Sequence, residues 1–338
     1  MSRLSLLAAL FGAALLVTAS AAQEKKKPKP PRVAVNDPAK LAADADFAVQ
    51  GEYLGEIEGK GPHGLQVIAR GDGKFDVKAF RGGLPGAGGT ELKQGGTAVR
   101  DGDKVTVFDP TMTELGKIAD GAFTLTALAT GTLKKTARTS PTLGAKPPAG
   151  AVVLFGGPDD LAQWDKAKLA ELSDGKFLTV SGTGGIRTKQ MFQAFKLHVE
   201  FRLPWMPNSR GQGRANSGVY LQDRYEVQVL DSFGLSGENN ECGGIYQQFK
   251  PTVNMCLPPM AWQTYDIEFR PAQFDADGKK TAPAKATIVH NGVTIHDGIE
   301  FKGPTGGGKP ETPDAGPIQL QDHGDPLVYR NIWVQELK

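Results

Sequence analysis

From Ala151 to the end of the chain, short runs of alternating apolar and polar residues recur between glycines and prolines, and none keeps the 3.6-residue spacing of a helix. The clearest run is Phe195 to Arg202. Phe195, Leu197, Val199 and Phe201 fall on one side, and Lys196, His198, Glu200 and Arg202 on the other. Residues 152–155 read as a buried strand and 177–180 with 186–189 as a hairpin. Residues 215–221 and 225–230 form a strand pair, and 262–270 a single strand. Residues 286–290 and 293–297 make a hairpin across Asn291-Gly292, a strong type I′ turn signal. Residues 318–321 and 328–334 read as a last hairpin. About nine strands without helical periodicity predict an all-β fold, a β-sandwich of jelly-roll type, for residues 151–338.

Residues 46–140 read as a smaller β-rich domain, with strands near 47–50, 65–69, 75–80, 104–108 and 122–126. Residues 82–89 are a glycine-rich stretch without the Gly-Lys-Ser/Thr of a phosphate-binding loop, and are expected to be a flexible hairpin loop. Residues 141–150, with Pro147-Pro148, read as a stiff linker. Residues 23–45 are a Lys/Pro-rich tether ending in a short helix capped by Asp37. Residues 1–22 have the form of a signal peptide, with Arg3, an apolar stretch too short to span a bilayer comfortably, and Ala19-Ser20-Ala21 as the cleavage site, with Ser20-Ala21-Ala22 as the alternative. The expectation is an exported protein, periplasmic or secreted, without a transmembrane span in the mature chain.

Formal net charge is +2, of which residues 1–35 carry +5. The mildly acidic remainder argues against nucleic acid as a partner. Cys242 and Cys256 are the only cysteines. In an exported chain they are expected to pair as a disulfide, stabilising a long loop by ~3 kcal/mol in the chain-entropy picture. Their spacing fits no compact zinc pattern.

The residues with chemical potential cluster on three strands. The second strand of the 215–230 pair offers Glu226 and Gln228, followed by Asp231, with Asn216, Ser217 and Tyr220 upstream. The last hairpin offers Gln319, Gln321, His323 and Arg330, and the Phe195 strand offers His198, Glu200 and Arg202. Carboxylates, amides and aromatic rings suit a carbohydrate, which presents hydroxyls and ring faces. The competing reading is a solvated sheet face.

The succession F-K-L-H-V-E-F-R, N-S-G-V-Y-L, Y-E-V-Q-V-L-D-S, E-C-G-G-I-Y, N-G-V-T-I-H and G-P-I-Q-L-Q-D-H-G with Y-R-N-I resembles the 3-keto-disaccharide hydrolase domain family across residues 151–338. The resemblance implies a concanavalin-like lectin/glucanase jelly roll and cleavage of glycosides already oxidised at C3. D-F-A-V-Q-G-E-Y-L-G, from Asp46, looks like an accessory β domain found beside it. Glu226-x-Gln228-x-x-Asp231 also resembles the E-x-D-x-x-E strand motif of glucanases on that fold. Gln in the middle and Asp at the end count against the ordinary retaining mechanism, which needs two differently tuned carboxyls. A 3-keto sugar instead needs a base for the C2 proton, a donor for the enolate oxygen and an acid for the leaving group. The expected roles are Glu226 as base, Arg330 or Arg187 as oxyanion donor, and His323 or Asp231 as acid. Asn216, Gln228, Tyr246 and Glu200 would hold the sugar. No cofactor is expected, and the carboxylates leave room for a divalent cation. A sugar 3-oxidase is implied as pathway partner. The alternative is a carbohydrate-binding module without catalysis.

Overall fold

Short strands bounded by glycine turns fill the computed structural model, which describes residues 33–338 apart from Gln94 and Leu128. The expected signal peptide and the first part of the tether lie outside the described residues. From Val35 onward the tether is packed: the Val35 and Trp205 backbones exchange hydrogen bonds of 3.0 and 2.7 Å. A 3₁₀ turn, Pro38–Leu41, follows with Asp37 as its N-cap. The strand expected at 47–50 is instead a one-turn helix, α1 (Ala45–Val49). The Asp44 carboxylate accepts the Phe47 N–H at 2.9 Å, so a cap decides a stretch too short for its pattern to do so.

Nine strands follow: β1 (Gly51–Ile57), β2 (Gly61–Gly71), β3 (Lys74–Arg81), β4 (Thr90–Glu91), β5 (Gly96–Asp101), β6 (Lys104–Phe108), β7 (Glu114–Ala119), β8 (Ala122–Leu125) and β9 (Gly131–Thr136). Each pairs antiparallel with the next, except that β3 pairs with both β4 and β5. The ring closes because β9 pairs with β1. The result is an eight-stranded up-and-down barrel with β4 as a flap, a closed architecture that leaves few strand edges unpaired. Inward-facing Tyr53, Val67, Phe75, Val105 and Ile118 fill one end. That end is plugged by Phe47 and, from the other half of the molecule, by Trp205. The two rings meet edge to face at 5.3 Å, and the indole N–H donates to Asp44 at 3.0 Å. The stretch 82–89 is not a free hairpin loop. Leu84 is buried, and a Cβ on Gly86 would lie 2.3 Å from the Met255 sulfur.

The second half contains β10 (Val152–Phe155), β11 (Lys168–Leu172), β12 (Gly175–Thr179), β13 (Ile186–Arg187), β14 (Phe195–Arg202), β15 (Ser217–Leu221), β16 (Tyr225–Val229), β17 (Trp262–Arg270), β18 (Gln273–Phe274), β19 (Lys280–Ala282), β20 (Lys285–His290), β21 (Val293–Glu300), β22 (Gln319–Leu320) and β23 (Val328–Glu336). One sheet runs β11-β12-β23-β14-β17-β20-β21, with β10 against β23, and a smaller one runs β13-β22-β15-β16. Leu197, Val199 and Phe201 of the large sheet and Val219, Val227 and Leu320 of the small one share a single core. This is the expected all-β sandwich.

Two expected hairpins are not hairpins. β12 pairs with β11 and β23, whereas β13 pairs with β22. Likewise β22 lies in the small sheet and β23 in the large one, so residues 322–326 cross between sheets. Asp325 fixes that crossing by accepting the Asn216 N–H at 2.8 Å.

The segment joining the halves is not a free linker either. Gly144 N–H donates to Glu200 at 2.5 Å, and the Trp333 indole and Asn331 amide donate to Ala145 O at 3.2 and 3.0 Å. Thr142 donates to Asp266 at 2.6 Å. The segment therefore covers the outer face of the large sheet. Among the described residues no helix is long and apolar enough to cross a membrane.

Candidate active site

The outer face of the small sheet carries the polar residues of its strands. Pairing places Tyr220 opposite Glu226, Gly218 opposite Gln228, and Tyr220 also opposite Gln319. Alternation sends Val219, Val227 and Leu320 into the core and the polar set outward. Loops then wall in this face. Gln228 exchanges backbone hydrogen bonds with Gly243 and Gly244, which brings Tyr246 alongside Glu226. Thr305 accepts the Glu226 N–H through its hydroxyl at 2.8 Å and brings in Gly306 and Gly307. The open-mouthed cavity so formed, about 220 Å³, is lined by Gln212, Asn216, Tyr220, Glu226, Gln228 and Tyr246, with Gln321, His323 and the two glycines completing it.

Glu226 lies across the floor of this cavity. A Cβ at residue 218 would fall 2.2 Å from its Oε1, so only glycine leaves space for the carboxyl. The side chain is 2% exposed. Burial pushes its pKa up to about 7, against a smaller opposing effect of the Tyr220 hydroxyl. The hydrogen bonds around Tyr220 agree with a neutral carboxyl. Its hydroxyl is 2.8 Å from Gly306 O, 2.9 Å from Glu226 Oε2 and 3.3 Å from the Gln321 amide nitrogen. A phenol has one proton, and the carbonyl can only accept it. All three contacts are satisfied together when Tyr220 donates to Gly306 and a protonated Glu226 donates to Tyr220. When Glu226 ionises, the Tyr220 proton can turn to it. The group is thus poised to take and return a proton near neutral pH.

Two further atoms on the cavity wall, Asn216 Oδ1 and Gln321 Oε1, are buried acceptors with no partner. Such orphans call for a donor from a ligand or water, and sugar hydroxyls are donors of that kind. Among the described residues no group of three or more His, Cys, Asp or Glu side chains is placed to hold a metal ion.

Of the residues expected at the site, Glu226, Gln228, Asn216, Tyr246 and His323 come together in this cavity. Four others lie elsewhere. Asp231 is buried against Arg214, 2.5 Å from its Nε, and also accepts the Phe233 N–H. Arg187 binds Asp223 at 2.8 Å and braces the turn between β15 and β16. Glu200 and Arg330 pair at 2.6 Å on the outer face of the large sheet, across the core from the cavity. There Glu200 also takes hydrogen bonds from Gly144 and Asn331 and has His198 beside it. Burial works to raise its pKa, but His198, Asn331, Gly144 and Arg330 outweigh burial and hold it at about 2. His198 itself is raised in spite of burial, by Asp266 and Glu200.

The expected disulfide is absent: Cys242 and Cys256 are both free and buried. The two thiols are neighbours and hydrogen-bond to each other, with Cys242 also 3.2 Å from the Tyr265 hydroxyl and Cys256 3.5 Å from the Leu230 carbonyl. Tyr220, opposite Glu226, was readable from the strand pair. Gln212, Gly306 and Gly307 come from loops with no local signal of their role.

Residues 150–335 match the family described as the 3-keto-alpha-glucoside-1,2-lyase-like domain, more than half of the chain. The chain belongs to this family. The solved structure of an inferred glycosyl hydrolase from Parabacteroides distasonis shares 38% identity with this lyase-like chain. It covers 56% of this chain and 85% of its own, with a TM-score of 0.51. Two further inferred glycosyl hydrolases of that organism, at 17% and 20% identity, cover 56% and 55% of this chain and 94% and 99% of their own. Both have TM-scores of 0.39 and add nothing to the assignment. No curated protein matches the chain. The lyase-like family and its glycosyl hydrolase relative support a hydrolase-like enzyme acting on glycosides.

Proposed function

We propose that the protein cleaves the glycosidic bond of 3-keto-glycosides, with Glu226 as the base. The observation that carries this reading is a buried carboxyl with its pKa near 7, lying along a cavity rich in amides and hydroxyls. A retaining glycosidase would need a second carboxyl as nucleophile or acid in the same cavity. Glu226 is the only carboxyl lining it among the described residues.

The 3-keto group makes one carboxylate sufficient. Glu226 takes the C2 proton, and the electron pair moves to the C3 oxygen as an enolate. Tyr246, whose hydroxyl has no partner among the described residues, donates to that oxygen. The electrons return, a C1–C2 double bond forms, and the C1–O glycosidic bond breaks. His323, exposed at the cavity edge, gives the leaving oxygen its proton. Water then adds its hydroxide to C1, Glu226 returns a proton to C2, and His323 recovers one from the water. The net change is hydrolysis. Such a substrate must be supplied by a sugar 3-oxidase, and the signal-like pattern of residues 1–22 supports a reaction outside the cytoplasm.

The test is to incubate the full-length mature protein with a disaccharide and with its 3-keto form, in D₂O. Release of monosaccharide from the keto form alone, with deuterium at C2, is expected. Equal cleavage of the unoxidised sugar, or cleavage without deuterium uptake, would overturn the reading. Binding of either sugar without cleavage would leave a carbohydrate-binding module.

A further inference from the structure

The barrel is filled at one end only. Above the layer of Tyr53, Phe75 and Ile118 a cavity of about 480 Å³ remains, within the size range of small-molecule sites. Its wall is apolar, formed by Ile57, Leu65, Val77, Ala79, Leu125 and Leu133 among others. The hollow follows from the sequence. Gly55 and Gly116 take places on strands where a Cβ would sit 2.1 Å from a neighbouring carbonyl, so the strands press together there and send no side chain inward. Eight-stranded barrels are wide enough either to be filled by side chains or to hold one small ligand, and this one is half of each.

The rim has a different character. On β2 the inward series Val67, Leu65 continues to His63, and on β3 the inward series Val77, Ala79 continues to Arg81. His63 and Arg81 are direct cross-strand partners. His63 is 95% buried by its 5% exposure; its Nδ1 contacts Gly61 O at 2.9 Å, and its Nε2 has no partner among the described residues. Arg81, Lys60 and Lys93 also line the cavity, and none forms an ion pair among the described residues. The one acidic residue on the lining, Asp109, is engaged by the Thr111 and Thr113 N–H groups of its own turn. An apolar chamber under a cationic rim lacks the amides and carboxylates that a sugar needs below its mouth. It matches a ligand with an apolar body and a single anionic head.

We propose that the barrel is a second binding site, separate from the glycoside cavity, that holds an amphipathic monocarboxylate with its hydrocarbon body inside and its carboxylate against His63 and Arg81. Titration calorimetry of the full-length protein with decanoate tests this, with decanol and inorganic phosphate as comparison probes. Saturable one-to-one binding of decanoate is expected. Arg81→Gln should weaken it about 10-fold or more, the scale for a lost hydrogen bond to a charged group. Ala79→Phe, which fills the chamber, should abolish it. Should that variant misfold, Arg81→Gln at the exposed rim still decides. Cleavage of the 3-keto-glycoside should be unchanged in Arg81→Gln. No saturable binding of decanoate, or undiminished binding by Arg81→Gln, would overturn the proposal. So would decanol binding as tightly as decanoate, or phosphate displacing it equally well.

Discussion

Glu200 on β14 and Glu226 on β16 are both shielded from bulk water, yet their carboxyls are driven in opposite directions, to about 2 and about 7. Burial alone would raise both. The difference lies in what each face was given as a cover. Glu200 is roofed by the segment between barrel and sandwich, which supplies the Gly144 N–H, with Asn331, Arg330 and His198 around it. Glu226 has a phenol that need not donate to it, and among the described residues no Lys or Arg lines its cavity. A fully satisfied carboxylate is a structural joint. An under-satisfied one is a reactive group.

The strongest test of this contrast is activity. Glu226→Gln keeps the neutral shape and can still donate to Tyr220, but it cannot take a proton. Turnover of a 3-keto-glycoside should fall by about 100-fold or more. A rate within a few-fold of the natural protein would put the two carboxyls in the same structural class. Glu200→Gln should do the reverse. It leaves the cluster of His198, Asn331 and Arg330 without its anion, at a cost of about 3 kcal/mol in urea unfolding, with activity per folded molecule unchanged.

Opposite pH dependence of stability sharpens the contrast. For Glu226 the folded pKa is above the unfolded value of 4.5, so its contribution is fully present below pH 4.5 and is lost as pH rises through about 7. Glu226→Gln should therefore stabilise the fold at pH 8 relative to pH 5, by on the order of 1–3 kcal/mol. For Glu200 the folded pKa is depressed, so its contribution is present above pH 4.5 and is lost as pH falls through about 2. Thermal melts of both Gln variants across that range should diverge in opposite senses, and parallel curves would refute the assignment. The smallest expected effect is in Tyr220→Phe. Without the hydroxyl that favours the ionised form, the rising limb of the kcat/KM–pH profile should move up by less than about one pH unit. A downward move would show that Tyr220 acts otherwise.

Alternation along β14 and β16 was plain in the sequence, and the strand bounds at Phe195–Arg202 and Trp262–Arg270 agree with it. What alternation could not say is what lies on top of each polar face. Gly144 is 56 positions from Glu200 and Thr305 is 79 from Glu226. Nothing local distinguishes the two strands. The same limit explains Arg330: a turn-rich stretch at 322–326 looks like a hairpin bend, and only sheet order reveals that it carries the chain across the sandwich. The barrel was half visible as short strands, but its closure depends on β9 meeting β1, which no window of sequence contains.

Trp205 has a consequence for how such a chain can change over evolution. Its indole belongs by sequence to the sandwich but by packing to the barrel, where it stoppers the base beside Phe47. Cutting this chain near residues 141–150 would leave an open socket in the barrel and a bare aromatic ring on the sandwich. A sandwich that stands without the barrel therefore needs a different residue or a different cover at position 205. In this chain the two halves should melt together in one calorimetric transition.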